Sequence, residues 1–488
     1  MFGENEVNDY HLLKYSLLYD FFVYFSSVKI YGLPLPQCLS RLFLLPHIQP
    51  FVDQNLGNQN LMSKLHKQRK FQTMGNINQK LIAFETIASV TIPKNKNSIL
   101  LSDDYYAFAI DQLKEYEITL YGVHHKEINH NIPHRFKSFF FRNELLKVDN
   151  QEVMKQQALL RKQVDKNLRI RPQHYYFSTQ LFQQWLSKAC ITIIKWVYIL
   201  DQEILKKRPA LIINPSEASI FGTILGLLSK KYQIPFINMP LTTIGDLNII
   251  PSRADYYFVW GKYQKNWLMK RYISEEKITE TGNIKFFYDK KVPSVSKELF
   301  NEKHKIPSNH FILGFTTQPF LETNDKLEKW IEAIPSNLPV TVLVKKHRND
   351  KYHYPSLSTK KNVRILPSDY PLYDFLHYID CLMTISSTTA LEAALLDKPL
   401  LILQPSMPYH YVLNHNQNNA YYAQSQAGEI IENANELIQA VTKITTVPSY
   451  VDYLTKKVET FKKASIKTVN WAPALTKNKI KEIMMKHL

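Results

Sequence analysis

The sequence predicts an α/β protein made of two Rossmann-like domains facing a central cleft, with a mainly helical N-terminal extension. Three observations predict it. At 488 residues the chain is too long for one hydrophobic core. From residue 98 onward, short apolar runs alternate with helix-length segments, the pattern of parallel sheets covered by helices on both faces. That alternation breaks once, at a Lys-rich stretch with Pro and Ser near 289–308, and then begins again. The expected division is an extension over 1–95, a first domain over 96–295, a second over 309–445, and a helical segment over 446–488. Ligands are expected in the cleft, outside the carboxyl ends of the strands.

In chain order, apolar residues recur at helical spacing over 12–25. The Pro-punctuated segment YGLPLPQCLSRLFLLPHIQPF follows. Its Leu and Phe residues suit either packing on the protein itself or an anionic membrane surface, with Arg41 at the edge. Residues 61–80 are polar and basic and read as a solvated helix or loop. Residues 98–101 read as a buried strand, SDDYYAFAIDQLKEY as a helix and EITLYGV as a strand. Residues 135–175 are basic and helical in tendency, an excursion from the sheet. A long helix is expected over 182–207, stopped by Pro209. Next comes the clearest unit, a βαβ crossover with strands at 210–213 and 234–238, a helix over 218–232, and Asn214-Pro-Ser-Glu217 as the turn. A strand at 255–259 and a helix to residue 272 complete the first domain. In the second domain FILGFTT, VTVLVKK, NVRILP, CLMTIS and PLLIL are the strand candidates.

The 61 Lys+Arg against 43 Asp+Glu give a net charge of +18, which favours anionic partners. No Arg-rich tract or nucleic-acid motif accompanies that charge, so nucleic acid is not expected. Cys38, Cys190 and Cys381 are spaced for neither a disulfide framework nor a zinc site, and fit a reducing cytoplasm. The acidic, polar start MFGENEVNDYHLL predicts no signal peptide. Residues 17–30 are too short and too interrupted to span a bilayer.

Two segments point to chemistry. In YIDCLMTISSTTALEAALLDKPLLIL a strand ends in Ser386, Ser387, Thr388 and Thr389 and turns into a helix holding Glu392. Hydroxyls and free N–H groups at such a turn suit an anion. Glu392 reads either as a capping-box partner of Thr389 or as an acceptor for ribose hydroxyls. In the other segment Lys345, Lys346, His347 and Arg348 end a strand of the same sheet and would face the same cleft.

The stretch from Ser386 to Glu392, continuing to Lys398-Pro399, resembles the donor-binding segment of GT-B enzymes that build bacterial capsule and surface polysaccharides. These are the 3-deoxy-manno-octulosonic acid (Kdo) transferases, polysialyltransferase-like enzymes and teichoic-acid glycerophosphotransferases. Ala254-Asp-Tyr-Tyr-Phe-Val-Trp260-Gly261 and Ile278-Thr-Glu-Thr-Gly282-Asn283 resemble the end of their first domain. The resemblance spans roughly residues 205–430. It implies a GT-B glycosyltransferase that uses a nucleotide-sugar, CMP- or UDP-linked, and a glycan or lipid-linked acceptor at the inner face of the membrane. It places the donor phosphate on His347 and on Ser386 with Ser387. The chain departs from the pattern twice: Arg348 stands where the relatives have proline, and Asn238-Met239-Pro240 where many carry Gln-His-Gly.

An inverting transferase needs a base for the acceptor hydroxyl and cations for the departing phosphate. Lys345, His347 and Arg348 with the Ser/Thr turn meet the second need, so no metal or other cofactor is expected. For the base, Glu217 comes first, because it sits in a loop at a strand's carboxyl end. Asp103 and Asp104 follow, then Asp246 and the pair His124-His125. Two other functions fit the same fold: a nucleotide-sugar 2-epimerase, and a non-catalytic GT-B protein that binds nucleotide or glycan.

Overall fold

The computed structural model describes residues 3–123, 133–170, 174–289, 293–415 and 421–487. The chain forms two compact units, Glu4–Lys285 with Thr468–Leu488, and Phe286–Lys467, each built on its own parallel sheet. Both are Rossmann-like α/β domains.

The first unit opens with helix Asp9–Tyr24, capped by the Asn8 side chain, which accepts from the His11 N–H at 2.8 Å. Leu12, Leu13, Leu17 and Leu18 are all fully buried, so this apolar stretch is an internal helix. A two-residue antiparallel ribbon follows, β1 (Lys29–Ile30) and β2 (Leu33–Pro34). Leu39, Phe43, Leu44 and Ile48 of the Pro-punctuated segment are also buried, so it packs on its own domain. Residues 61–80 are not simply solvated: helices Gln59–Arg69 and Met74–Ile82 bury Met62, Leu65, Ile77 and Leu81. Many of the aromatic residues meet in one cluster that fastens the helix Asp9–Tyr24 and the Pro-punctuated segment to the long helix Gln180–Lys207. Phe21 stacks on Phe43 at 4.6 Å, Phe177 meets Phe182 at 4.7 Å, and His47 lies flat on Trp185 at 4.1 Å.

The seven-stranded sheet contains β3 (Asn95–Ser102), β4 (Glu117–Gly122), β5 (Phe136–Phe140), β6 (Pro209–Asn214), β7 (Phe236–Asn238), β8 (Tyr256–Val259) and β9 (Ile278–Glu280). Its order is β5-β4-β3-β6-β7-β8-β9, all parallel. The excursion expected over 135–175 therefore begins as a sheet strand, and only its later part is the helix Asn150–Ile170. The long helix ends where Arg208 turns left-handed at φ 50° and Pro209 starts β6. The last helix, Ala472–His487, belongs to this unit and pairs Lys477 with Glu115 at 2.9 Å. At Gly282, φ is 82° and an added Cβ would lie 2.1 Å from the Thr468 carbonyl oxygen, so glycine is required there.

The second unit has six parallel strands: β10 (Phe311–Thr316), β11 (Val340–Lys345), β12 (Val363–Leu366), β13 (Cys381–Thr384), β14 (Leu400–Leu403) and β15 (Glu429–Ile431). Their order is β12-β11-β10-β13-β14-β15. The first five match the five apolar runs. The Lys-rich stretch before them contains helix Lys297–Lys303, anchored by the fully buried Phe300. Gly314 lets helix Leu372–Tyr378 press on β10, since a Cβ there would lie 2.7 Å from the Phe375 ring. All three cysteines are buried and free. Among the described residues no helix is long and apolar enough to cross a membrane.

Candidate functional site

In the second unit the strand order reverses between β10 and β13. The chain leaves β10 towards β11 and β12, whereas β13 leads the other way to β14 and β15. Loops that diverge at such a point leave a crevice at the carboxyl ends of the strands, where α/β proteins bind ligands. The polar residues after β10, β11 and β13 all gather there.

Hydroxyl groups close the floor of this crevice. Thr316 donates to Thr384 across the strand pair at 3.0 Å and shares a second hydrogen bond of 2.9 Å with Thr389. Ser386, only 5% exposed, donates to Gln318 Oε1 at 2.9 Å. Ser387 Oγ accepts from the Thr389 N–H at 3.2 Å, at the turn into the short helix Thr389–Leu395. Ser387 and Thr388 remain half-exposed at the mouth.

The basic run after β11 divides into two pairs. Lys345 is buried and its ammonium donates to the Ser368 carbonyl at 2.7 Å; Lys346 donates to the Tyr352 carbonyl at 2.6 Å. Burial lowers the pKa of Lys345, opposed by Asp369. His347 and Arg348 are exposed. The His347 backbone N–H donates to Thr317 Oγ1 at 2.9 Å, and its Nδ1 accepts from the Asn349 N–H at 3.1 Å. With Nδ1 accepting, the neutral ring carries its proton on Nε2 and offers it outward as a donor. Partial burial, then Arg348, lower the His347 pKa and favour that neutral form.

Asp350, which the sequence reading did not single out, holds this corner together. It is buried, and its carboxylate accepts from Thr317 Oγ1 (2.6 Å), Tyr354 OH (2.8 Å), Asn324 Nδ2 (3.0 Å) and the Tyr352 N–H (2.9 Å). It thereby ties the loop after β10 to the loop carrying His347. Glu392 is 2% exposed, with the Tyr373 hydroxyl 3.5 Å from its Oε1.

The other sequence candidates lie in the first unit. Asp103 and Asp104 follow β3 at that sheet's own reversal, between β3 and β6. Asp104 is exposed and accepts from the Ser102 hydroxyl at 3.0 Å; Asp103 is buried against Gly122. Glu217 is fully buried, with Oε2 accepting from the Arg253 and Ala254 N–H groups and both oxygens meeting Tyr257 OH at 2.8 and 3.0 Å. Burial outweighs those donors and pushes its pKa up to about 7. Asp246 forms a buried ion pair with Arg271 at 2.8 Å. Asn238 is 1% exposed and its amide has no hydrogen-bond partner among the described residues. His124 and His125 lie outside the described residues.

No protein-family model matches the chain, and no curated protein matches it. Among solved structures it is similar to a UDP-N-acetylglucosamine 2-epimerase at 13% identity and a TM-score of 0.50, over 81% of this chain and 97% of that one. It is also similar to the wall teichoic acid polymerase TagF (11% identity, TM-score 0.46, 90% and 98% coverage). A third is Anabaena Alr3699/HepE in complex with UDP and glucose (11%, 0.47, 80% and 99%). The likeness to the epimerase is one of fold: two parallel α/β domains of the GT-B kind.

Proposed function

We propose that the chain is a glycosyltransferase that moves a sugar from a nucleotide-sugar to a glycan or lipid-linked acceptor in bacterial surface or capsule polysaccharide synthesis. The observation that carries this reading is that the loop after β10 hydrogen-bonds both neighbouring loops at the reversal point of the second sheet, Thr317 to the His347 N–H and Gln318 to Ser386. Transfer breaks the bond between the anomeric carbon and a phosphate oxygen, and negative charge grows on the departing nucleotide. Arg348, the His347 Nε2–H and the Ser387 and Thr388 hydroxyls are the donors proposed for that charge. Glu392 is proposed to set the Tyr373 and ribose side of the site. Lys345, held by the Ser368 carbonyl, adds a nearby fixed charge.

On the acceptor side, Asp104 is the proposed base, because it is the one exposed carboxylate of the four considered. Asp103 is proposed to support it. Glu217 is proposed to anchor the segment 253–257 through its buried hydrogen bonds. The net charge of +18 supports work beside an anionic inner membrane face.

The test is turnover of UDP- and CMP-sugars by the purified protein with and without a lipid-linked oligosaccharide. Nucleotide release that depends on the oligosaccharide, and is lost in His347→Ala, supports transfer. Conversion of the sugar without an acceptor points to epimerisation. Binding of nucleotide with neither product points to a non-catalytic protein.

A further inference from the structure

On the amino-end side of the first sheet, opposite the end where its own reversal loops lie, is a cavity of about 400 Å³. Its lining includes Ser98, Thr119, Arg135, Lys137, Lys206 and Lys207, with Glu117 as its one carboxylate. The placement follows from the topology. Parallel strands β3, β4 and β5 all start at this edge, and the long helix Gln180–Lys207 delivers its last turn to the same edge before β6 begins. Ser98 pairs with Glu117 and Thr119 with Lys137, so these four lie on one face of the sheet.

Few of these polar groups are tied by close hydrogen bonds or ion pairs to the rest of the fold. Ser98 and Thr119, 3% and 4% exposed as whole residues, contribute hydroxyls to its lining. Lys137 and Lys206 have neither a hydrogen-bond nor an ion-pair partner among the described residues. Lys207 lies 3.7 Å from Glu203, Arg135 donates to the Glu115 carbonyl at 3.1 Å, and Glu117 accepts from Asn95 Nδ2 at 2.9 Å. Lys206 and Lys207 complement the helix C-terminus, but Arg135 and Lys137 come from a different element and are not explained by it.

We infer that this cavity is a second anion site, separate from the proposed donor site, and that it takes the phosphate group of a small ligand. Four cations line it together with two hydroxyls, the combination that satisfies the oxygens of a phosphate. No Phe, Tyr or Trp lines it; His134 and Arg135 are its planar side chains. Its volume is in the range of small-molecule sites, about 300–1,000 Å³.

The test is residue-resolved lysine acetylation of the full chain, read by mass spectrometry, with sodium pyrophosphate as probe and potassium chloride at matched ionic strength as control. Acetylation of Lys137 and Lys206 is expected to slow at least fivefold with pyrophosphate, while the exposed Lys463 is unchanged. The same protection is expected in His347→Ala, which separates this site from the donor site. In a folded Lys137→Glu/Lys206→Glu double variant, protection of Lys207 is expected to disappear. A parallel arm with phosphatidylglycerol vesicles identifies the source: selective protection by vesicles alone assigns the phosphate to a lipid headgroup, and protection by pyrophosphate assigns it to a soluble ester. Rates within twofold of the chloride control in both arms overturn the inference.

Discussion

Asp350 shows how much of the second unit's candidate site depends on one side chain. Removing the carboxylate takes this acceptor from the Thr317 and Tyr354 hydroxyls and the Tyr352 N–H, while Asn324 keeps its bond to the Gln318 carbonyl. Each buried group left unpaired costs about 1–3 kcal/mol, so Asp350→Ala should lose about 3 kcal/mol or more in urea unfolding. Asp350→Asn should lose less and weaken nucleotide binding, because the His347 N–H rests on Thr317. Glu217 makes a comparable test in the first unit. A carboxyl whose folded pKa is raised contributes stability that is present below its ordinary value and lost as pH rises through the folded one. Between pH 4.5 and about 7 the wild type should therefore lose stability relative to Glu217→Gln, which does not titrate. Parallel thermal melts of the two proteins across that range check it; a constant difference would contradict the burial argument. His347, Ser386 and Ser387 were legible because each follows an apolar run. Asp350 was not, because it lies in a polar stretch and its partners Asn324 and Thr317 are 26 and 33 residues away.

Among the elements, the long apolar strands and the helix ending at Lys207 were legible from period and breakers. The short strands β5, β9 and β15 were not. Phe136–Phe140 carries Lys137 within it, and Ile278–Glu280 and Glu429–Ile431 are three residues each, so neither length nor alternation marks them. Their strand state comes from pairing with a neighbour already in place. The helix Asp9–Tyr24 was legible as a helix, but its burial on nearly all sides was not, because its polar His11, Lys14 and Ser16 are buried too. Helix-to-turn packing gives a direct test. At Gly222, an added Cβ would lie 1.8 Å from the Ser216 carbonyl oxygen. Gly222→Ala should therefore destabilise the protein by about 1–3 kcal/mol in urea unfolding, despite alanine's better helix propensity. A neutral or stabilising result would show that the Asn214–Glu217 turn yields easily.

At the scale of the whole molecule, the sequence showed two α/β alternations, and both sheets have the strand order of a Rossmann-like domain. That the last helix joins the first unit was not legible, because it depends on contacts such as Lys477 with Glu115, distant in sequence. The charge of +18 has a consequence for the whole chain: anion affinity should fall several-fold between 50 and 500 mM potassium chloride, as the screening length shortens to about 4 Å at the upper end. The most direct measurement of the central claim is calorimetric titration of CMP, CDP, UDP, GDP and ADP into the wild type, His347→Ala and Ser387→Ala. The account predicts that at least one nucleotide binds the wild type and binds each folded variant at least tenfold more weakly. Equal affinity in all three proteins, or no binding to the wild type at millimolar concentration, would contradict a donor site at the reversal of the second sheet.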